Sequence, residues 1–188
     1  MKKSDAYAQI TSLLTQGEAS EAQRVFDAQR PNLPAEEVCE IQGNLLYYQK
    51  DYQGAVDSYE SAIALNAEYE CARYHYLIGV QLEREKDFPN AFLRYQAAIE
   101  TESSFVDAYV ELGGLLVKAD DLEGALTCYT DAAKCEPRDL AISHNLVTIL
   151  QKLVVADPDR YSALLRDAAS THAALKESQP PVNPGHVW

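Results

Sequence analysis

Apolar and small residues recur along this chain at helical spacing, and polar junctions interrupt them at regular intervals. Three segments align without a gap. They are CEIQGNLLYYQKDYQGAVDSYESAIALNA from Cys39, HYLIGVQLEREKDFPNAFLRYQAAIETES from His75 and YVELGGLLVKADDLEGALTCYTDAAKCEP from Tyr109. Gly43, Gly79 and Gly113 coincide, as do Leu46, Leu82 and Leu116. So do Asp51, Asp87 and Asp121, then Ala55, Ala91 and Ala125, then Tyr59, Tyr95 and Tyr129, then Ala62, Ala98 and Ala132. Each unit predicts two helices. Ile41, Leu45 and Leu46, or Leu112, Leu115 and Leu116, mark the apolar stripe of the first. The recurring Asp precedes the second, where its carboxylate can cap free N–H groups. Pro89 falls in a first turn, where its missing N–H costs nothing. The glycine of the first helix and the alanines of the second allow close backbone approach, and Tyr59, Tyr95 and Tyr129 occupy core positions. A repeat of about 34 residues with small residues at fixed places signals a helical solenoid.

The ends depart from this pattern. In AYAQITSLLTQGEASEAQRVFDAQRPNLP, Leu13, Ala22, Phe26 and Pro34 fall where Leu46, Ala55, Tyr59 and Ala67 fall, but Ile10 takes the glycine position. This is a degenerate first unit. After Pro137 a helix is expected over 140–155. A last helix over 158–176, capped by Asp157, lacks the small-residue pattern and closes the stack. The tail SQPPVNPGHVW cannot be helical. The expected divisions are therefore 1–35, 36–69, 70–105, 106–139, a helix pair over 140–177 and a proline-rich tail over 178–188.

These residues resemble the tetratricopeptide motif, Trp-x2-Leu-Gly-x2-Tyr followed by Ala-x3-Phe and Pro. The resemblance spans about residues 3–156 and is fullest at Tyr109, Leu112, Gly113, Ala125, Tyr129, Ala132 and Pro137. Cys39, His75 and Tyr109 stand in place of the Trp, leucines replace the first Tyr, and Ala67 and Ser103 replace the Pro. The resemblance implies an all-α, right-handed superhelical solenoid of helix-turn-helix repeats with a C-terminal capping helix. It also implies a concave groove lined by the first helices, where a partner's peptide or helix lies. Helical geometry around each glycine selects the residues expected to face that groove. They are Tyr7 in the first unit and Glu40, Asn44, Tyr47 and Tyr48 in the second. Arg73, Tyr76, Val80 and Arg84 follow in the third, Val110, Glu111 and Lys118 in the fourth, and His144 and Asn145 in the fifth. Tyrosine is bulky, amphipathic and cheap to order, which suits recognition. The clamp by which a subgroup of this family grips a chaperone's C-terminal carboxylate is not expected. Glu40, Leu77, Asp107 and Glu111 stand where its Lys, Asn and cations would be, so a carboxylate would meet like charge.

The net charge of −13 and the lack of a basic patch argue against nucleic-acid binding. No run of about 18 apolar residues offers a membrane span, and the N-terminus shows no secretory pattern, so a cytoplasmic protein is expected. Cys39, Cys71, Cys128 and Cys135 form no Cys-x-x-Cys and read as small buried thiols. Cys71 and His75, four apart on one helix, have no further ligand pair in reach, and His75 is expected at a core position of the motif, so no metal and no cofactor is expected. No nucleotide loop or nucleophile motif is present. The expectation is a non-catalytic adaptor or scaffold that binds another protein. The alternative is a chaperone of the type III secretion kind, holding a client before export. Self-association, or docking of the tail through Val187 and Trp188, is the remaining partner possibility.

Overall fold

The computed structural model describes residues 3–66 and 71–178. The tail, with Val187 and Trp188, lies outside the described residues. The helices are α1 (Asp5–Thr15), α2 (Ala19–Gln29), α3 (Ala35–Tyr48), α4 (Tyr52–Leu65), α5 (Ala72–Arg84), α6 (Phe88–Thr101), α7 (Val106–Lys118), α8 (Leu122–Cys135), α9 (Leu140–Ala156) and α10 (Pro158–Ser178). A short 3-10 turn at Arg30–Asn32 links α2 to α3. The fold is an all-α helical-repeat solenoid built of successive helix pairs. The chain divides into two compact units, 1–103 and 104–188. In the first, α1 packs on α2, α3 on α4 and α5 on α6, with α3 also against α1 and α2, and α4 against α5. In the second, α7 packs on α8, α8 on α9 and α9 on α10.

Four of the five helix pairs, all but α9–α10, close the first helix in the same way, and in three of them an Asp then caps the second. The α3 helix ends with Lys50 in the left-handed region, φ 65°. The Lys50 N–H donates to the Tyr47 carbonyl and the Asp51 N–H to the Leu46 carbonyl, which together close the helix as a Schellman motif. Asp51 then caps α4, its carboxylate accepting from Gly54 N–H at 3.1 Å. One residue thus finishes one helix and starts the next, so the helices reverse within a few residues. Lys86 (φ 65°) with Asp87, Asp120 (φ 62°) with Asp121, and Gly17 (φ 80°) with Glu18 repeat the closing bonds. Only Gly17 reaches this conformation without a steric cost. Leu46, Leu82 and Leu116 supply the carbonyl that takes the Asp N–H, a backbone role that explains why the motif's Tyr is dispensable there.

Each repeat glycine faces its own tyrosine. A Cβ on Gly43 would sit 2.5 Å from the Tyr59 ring, on Gly79 2.6 Å from Tyr95 and on Gly113 2.7 Å from Tyr129. Tyr59 and Tyr95 are fully buried and Tyr129 nearly so. In the first unit Ile10, Leu14, Ala22, Phe26, Ile41 and Leu45 form one core cluster, and Ala55, Tyr59, Ala62, Cys71 and Leu77 another. Ile10, bulky where other repeats have glycine, is itself core. The second unit's cluster comprises Ala125, Tyr129, Ile149, Leu150, Leu153 and Tyr161. Both terminal helices are tied down by first-turn hydrogen bonds to glutamate. Ser4 and Tyr7 bond Glu37 and Glu40, while Tyr161 and Arg160 bond Glu123.

Two sequence expectations are corrected here. Cys71 and Cys128 are buried, but Cys39 is half-buried at the edge of the Tyr59 cluster and Cys135, the last residue of α8, is exposed. His75 is not a core residue. It is half-buried, with its ring against Tyr74 and Nδ1 3.4 Å from the Arg94 guanidinium.

Candidate functional site

On the first-helix side of the first unit, α1 and α3 meet along a polar seam with a fixed offset of 33 residues. Ser4 donates to Glu37 through its N–H at 3.0 Å and its hydroxyl at 2.5 Å. The Tyr7 hydroxyl donates to Glu40 at 2.6 Å, and Lys3 forms an ion pair with the same carboxylate. Glu37 and Glu40 are only 2% and 4% exposed. Burial of such carboxylates is tolerable only with donors on their oxygens. The surroundings act on the neighbours. Burial, then the Glu40 charge, pushes the Tyr7 phenol well above its usual range. Burial, then the Glu40 charge, pushes the Cys71 thiol up to about 11.

A tyrosine cluster follows on α3 and α5. The Tyr47 ring stands edge-on to Tyr48 at 5.6 Å, Tyr52 at 5.8 Å and Tyr76 at 6.4 Å, and Tyr76 continues to Tyr95 at 6.1 Å. The Arg73 guanidinium lies 5.8–5.9 Å from the Tyr48 and Tyr47 ring centres and 4.0 Å from Glu102. Burial works against its charge, but the Tyr59 and Tyr48 phenols and the Glu102 carboxylate hold it protonated. Cation–π contacts of a desolvated Arg contribute on the order of 2 kcal/mol.

The structure therefore sorts the expected groove residues of this unit. Tyr47, Tyr48, Tyr76 and Val80 are half-exposed and Arg84 is exposed. Asn44 is not open in a groove, as expected from its place beside Gly43. It is 1% exposed and accepts a hydrogen bond from the Tyr59 hydroxyl at 2.8 Å. Glu40 and Arg73 are likewise withdrawn, at 4% and 8% exposed, by the Tyr7 and Lys3 donors and by the tyrosine pair. Tyr7 is half-buried, with its hydroxyl committed to Glu40. Helical spacing did not give the depth of these side chains. The Ser4–Glu37 contact was missed. Its signal is the matching spacing of three between Ser4 and Tyr7 and between Glu37 and Glu40.

In the second unit, Val110, Glu111 and Lys118 lie on α7, and His144 and Asn145 on α9. Lys118 and His144 are exposed, the others half-buried. The His144 ring lies 5.6 Å from that of His172 on α10, a residue the repeat pattern does not single out. His172 Nδ1 is 2.7 Å from the Ser143 hydroxyl. The Ser143 hydroxyl also lies 3.1 Å from the Leu140 carbonyl. Among the described residues no group of three or more His, Cys, Asp or Glu could hold a metal ion, and no helix is long and apolar enough to cross a membrane.

Antiparallel helix pairs, glycine-to-tyrosine packing and Asp-capped second helices define a helical-repeat protein. The family model described as tetratricopeptide repeat matches residues 42–104, so that stretch of the chain carries the tetratricopeptide repeat. Among solved structures it is similar to the RS-1 ArsTM double mutant of MamA, at 19% identity, TM-score 0.54, over 95% of this chain and 98% of that one. MamA from residue 41 onward, from Desulfovibrio magneticus RS-1, is 20% identical, with TM-score 0.50 over 94% and 96% of the chains. YrrB, described as a tetratricopeptide-repeat protein with an unusual peptide-binding site, is 19% identical, with TM-score 0.50 over 93% and 86%. At these identities the likeness is one of fold. No curated protein matches the chain.

Proposed function

We propose that this protein is a non-catalytic interaction adaptor that takes an extended or helical segment of another protein on the first-helix face of its 1–103 unit. The observation that carries the reading is the tyrosine cluster of α3 and α5. Tyr47, Tyr48 and Tyr76 are pre-ordered by edge-on contacts and by Arg73, yet remain half-exposed. Large rigid side chains with little left to order are the usual anchors of binding surfaces. Val80 and Arg84, one and two turns beyond Tyr76 on α5, extend the surface with an apolar and a cationic contact. Support also comes from the repeat class and from YrrB, whose description includes a peptide-binding site. Val110, Glu111, Lys118, His144 and Asn145 are the proposed contact residues of the other unit. A single segment of moderate affinity, about −8 kcal/mol or micromolar, is what such a face supports.

The test is capture from the native source with the full chain as bait. Wild type runs beside a Val80→Ser/Arg84→Ala variant and a Leu93→Ser control, Leu93 being 59% exposed on the second helix α6. The reading requires a protein that wild type and control retain and the variant loses. Equal retention by all three would reject the first-helix face.

A further inference from the structure

We infer that His144 and His172 form a binding site for a single borderline divalent cation, of the zinc, nickel or copper class, that bridges α9 to α10. The two imidazoles come from adjacent packed helices and their ring centres are 5.6 Å apart, tilted by 48°. Metal–nitrogen bonds of about 2.0–2.1 Å put an ion roughly 3 Å from each ring centre, so two rings on a tetrahedral ion have centres about 5 Å apart. A small side-chain rotation of the exposed His144 closes that difference. The preparation of His172 is the second observation. The Ser143 hydroxyl, itself 3.1 Å from the Leu140 carbonyl, is hydrogen-bonded to His172 Nδ1 at 2.7 Å. That bond orients the ring and leaves Nε2 as the nitrogen open to an ion, the arrangement in which a ligating histidine is held by a hydrogen bond on its other nitrogen. Ser143 is 8% exposed, so this support is rigid.

The surroundings set the ion's class. From Leu140 to Thr148 on α9 and from Ala168 to Leu175 on α10, the two histidines are the only ionisable side chains. A site of two neutral imidazoles with no carboxylate disfavours calcium and magnesium, which need oxygen ligands, and favours the ions that imidazole suits. Two protein ligands leave the remaining coordination positions to water. The bound ion fastens the last helix to its neighbour.

Isothermal titration of the full chain with nickel chloride, and separately zinc chloride, at pH 7.5 tests this. The expected result is one ion per chain with a micromolar dissociation constant. His144→Ala and His172→Ala should each weaken binding at least tenfold. Ser143→Ala, which touches no ion, should weaken it about tenfold through loss of ring orientation. Lowering the pH to 5.5 should abolish binding, because both ligands must be neutral. His75→Ala, His186→Ala and Cys135→Ser are controls expected to bind normally, and circular dichroism confirms each variant's helicity. No binding at millimolar ion, or binding unchanged in both histidine variants, would overturn the inference. Loss of binding only in His75→Ala, His186→Ala or Cys135→Ser would do the same.

Discussion

Gly113 and Gly114 are neighbours in the middle of α7, and the fold gives them opposite roles. A Cβ at Gly113 would lie 2.7, 2.9 and 3.1 Å from Cε1, Cζ and Cδ1 of Tyr129, while one at Gly114 meets nothing within 4 Å. Replacing a helical glycine by alanine gains about 1 kcal/mol in helix propensity at either position. At Gly114 that gain stands alone, so Gly114→Ala should stabilise by about 0.5–1 kcal/mol. At Gly113 the new methyl overlaps an aromatic ring that is 7% exposed, and overpacking of that kind costs about 1–3 kcal/mol. The net effect of Gly113→Ala should therefore be neutral to destabilising by about 2 kcal/mol, and the two variants should differ by about 1–3 kcal/mol. Urea unfolding followed by circular dichroism measures this, the midpoint shifting at constant slope. Tyr129→Leu makes the cycle specific. Adding Gly113→Ala to it should cost less than adding it to wild type, because the rigid ring is gone. If Gly113→Ala proved as stable as Gly114→Ala, glycine-to-tyrosine packing would not be what holds the repeat together.

Three further outcomes follow from the same geometry. Lys50→Gly and Lys86→Gly should each stabilise by about 0.5–1 kcal/mol, since both residues sit at φ 65° and glycine adopts that region freely. A midpoint lowered by either substitution would contradict the junction described. Glu40→Ala should destabilise by about 2–3 kcal/mol, because it strips the acceptor from Tyr7 and Lys3 and leaves both partly buried, and exchange protection should fall first in α1. Protection lost uniformly would argue against a seam specific to α1 and α3. Cys71, pushed up to about 11 from 9.0, keeps its proton in the fold at pH values where the unfolded thiol loses it. Its contribution is present below about pH 9 and is lost as pH rises toward 11, by up to about 3 kcal/mol. Cys71→Ala should unfold with a shallower decline between pH 8.5 and 10.5, and identical slopes would refute the assignment.

How far the sequence reveals this protein differs by level. Gly43, Gly79 and Gly113 with Tyr59, Tyr95 and Tyr129 made the repeat visible because backbone contact tolerates almost no variation. The Asp at three of the junctions was visible for a similar reason, since one residue closes the first helix through its N–H and caps the second through its carboxylate. The burial of the expected groove residues was not legible. Asn44 and Val80 hold the same place in successive repeats, yet Asn44 is sealed by the Tyr59 hydroxyl. Val80 offers that hydroxyl's counterpart no acceptor, and Tyr95 turns instead to Glu83 at 2.9 Å. Such differences arise from the polar partner each repeat offers its own tyrosine, which the shared pattern of small residues does not encode. The Glu37 and Glu40 seam was hidden likewise, because two acids on a helix look solvated until Ser4 and Tyr7 are brought against them. His172 belonged to no repeat position and became visible only when α10 was laid on α9.

The central claim is that the α3 and α5 face of the 1–103 unit is the working surface. Site-specific photo-crosslinking in the full chain tests it most directly, with the crosslinking residue placed at Arg84 in one sample and at Leu93 in another. The account predicts that one captured protein crosslinks from position 84 and not from position 93. A protein that crosslinks from position 93 and not from position 84 would contradict it.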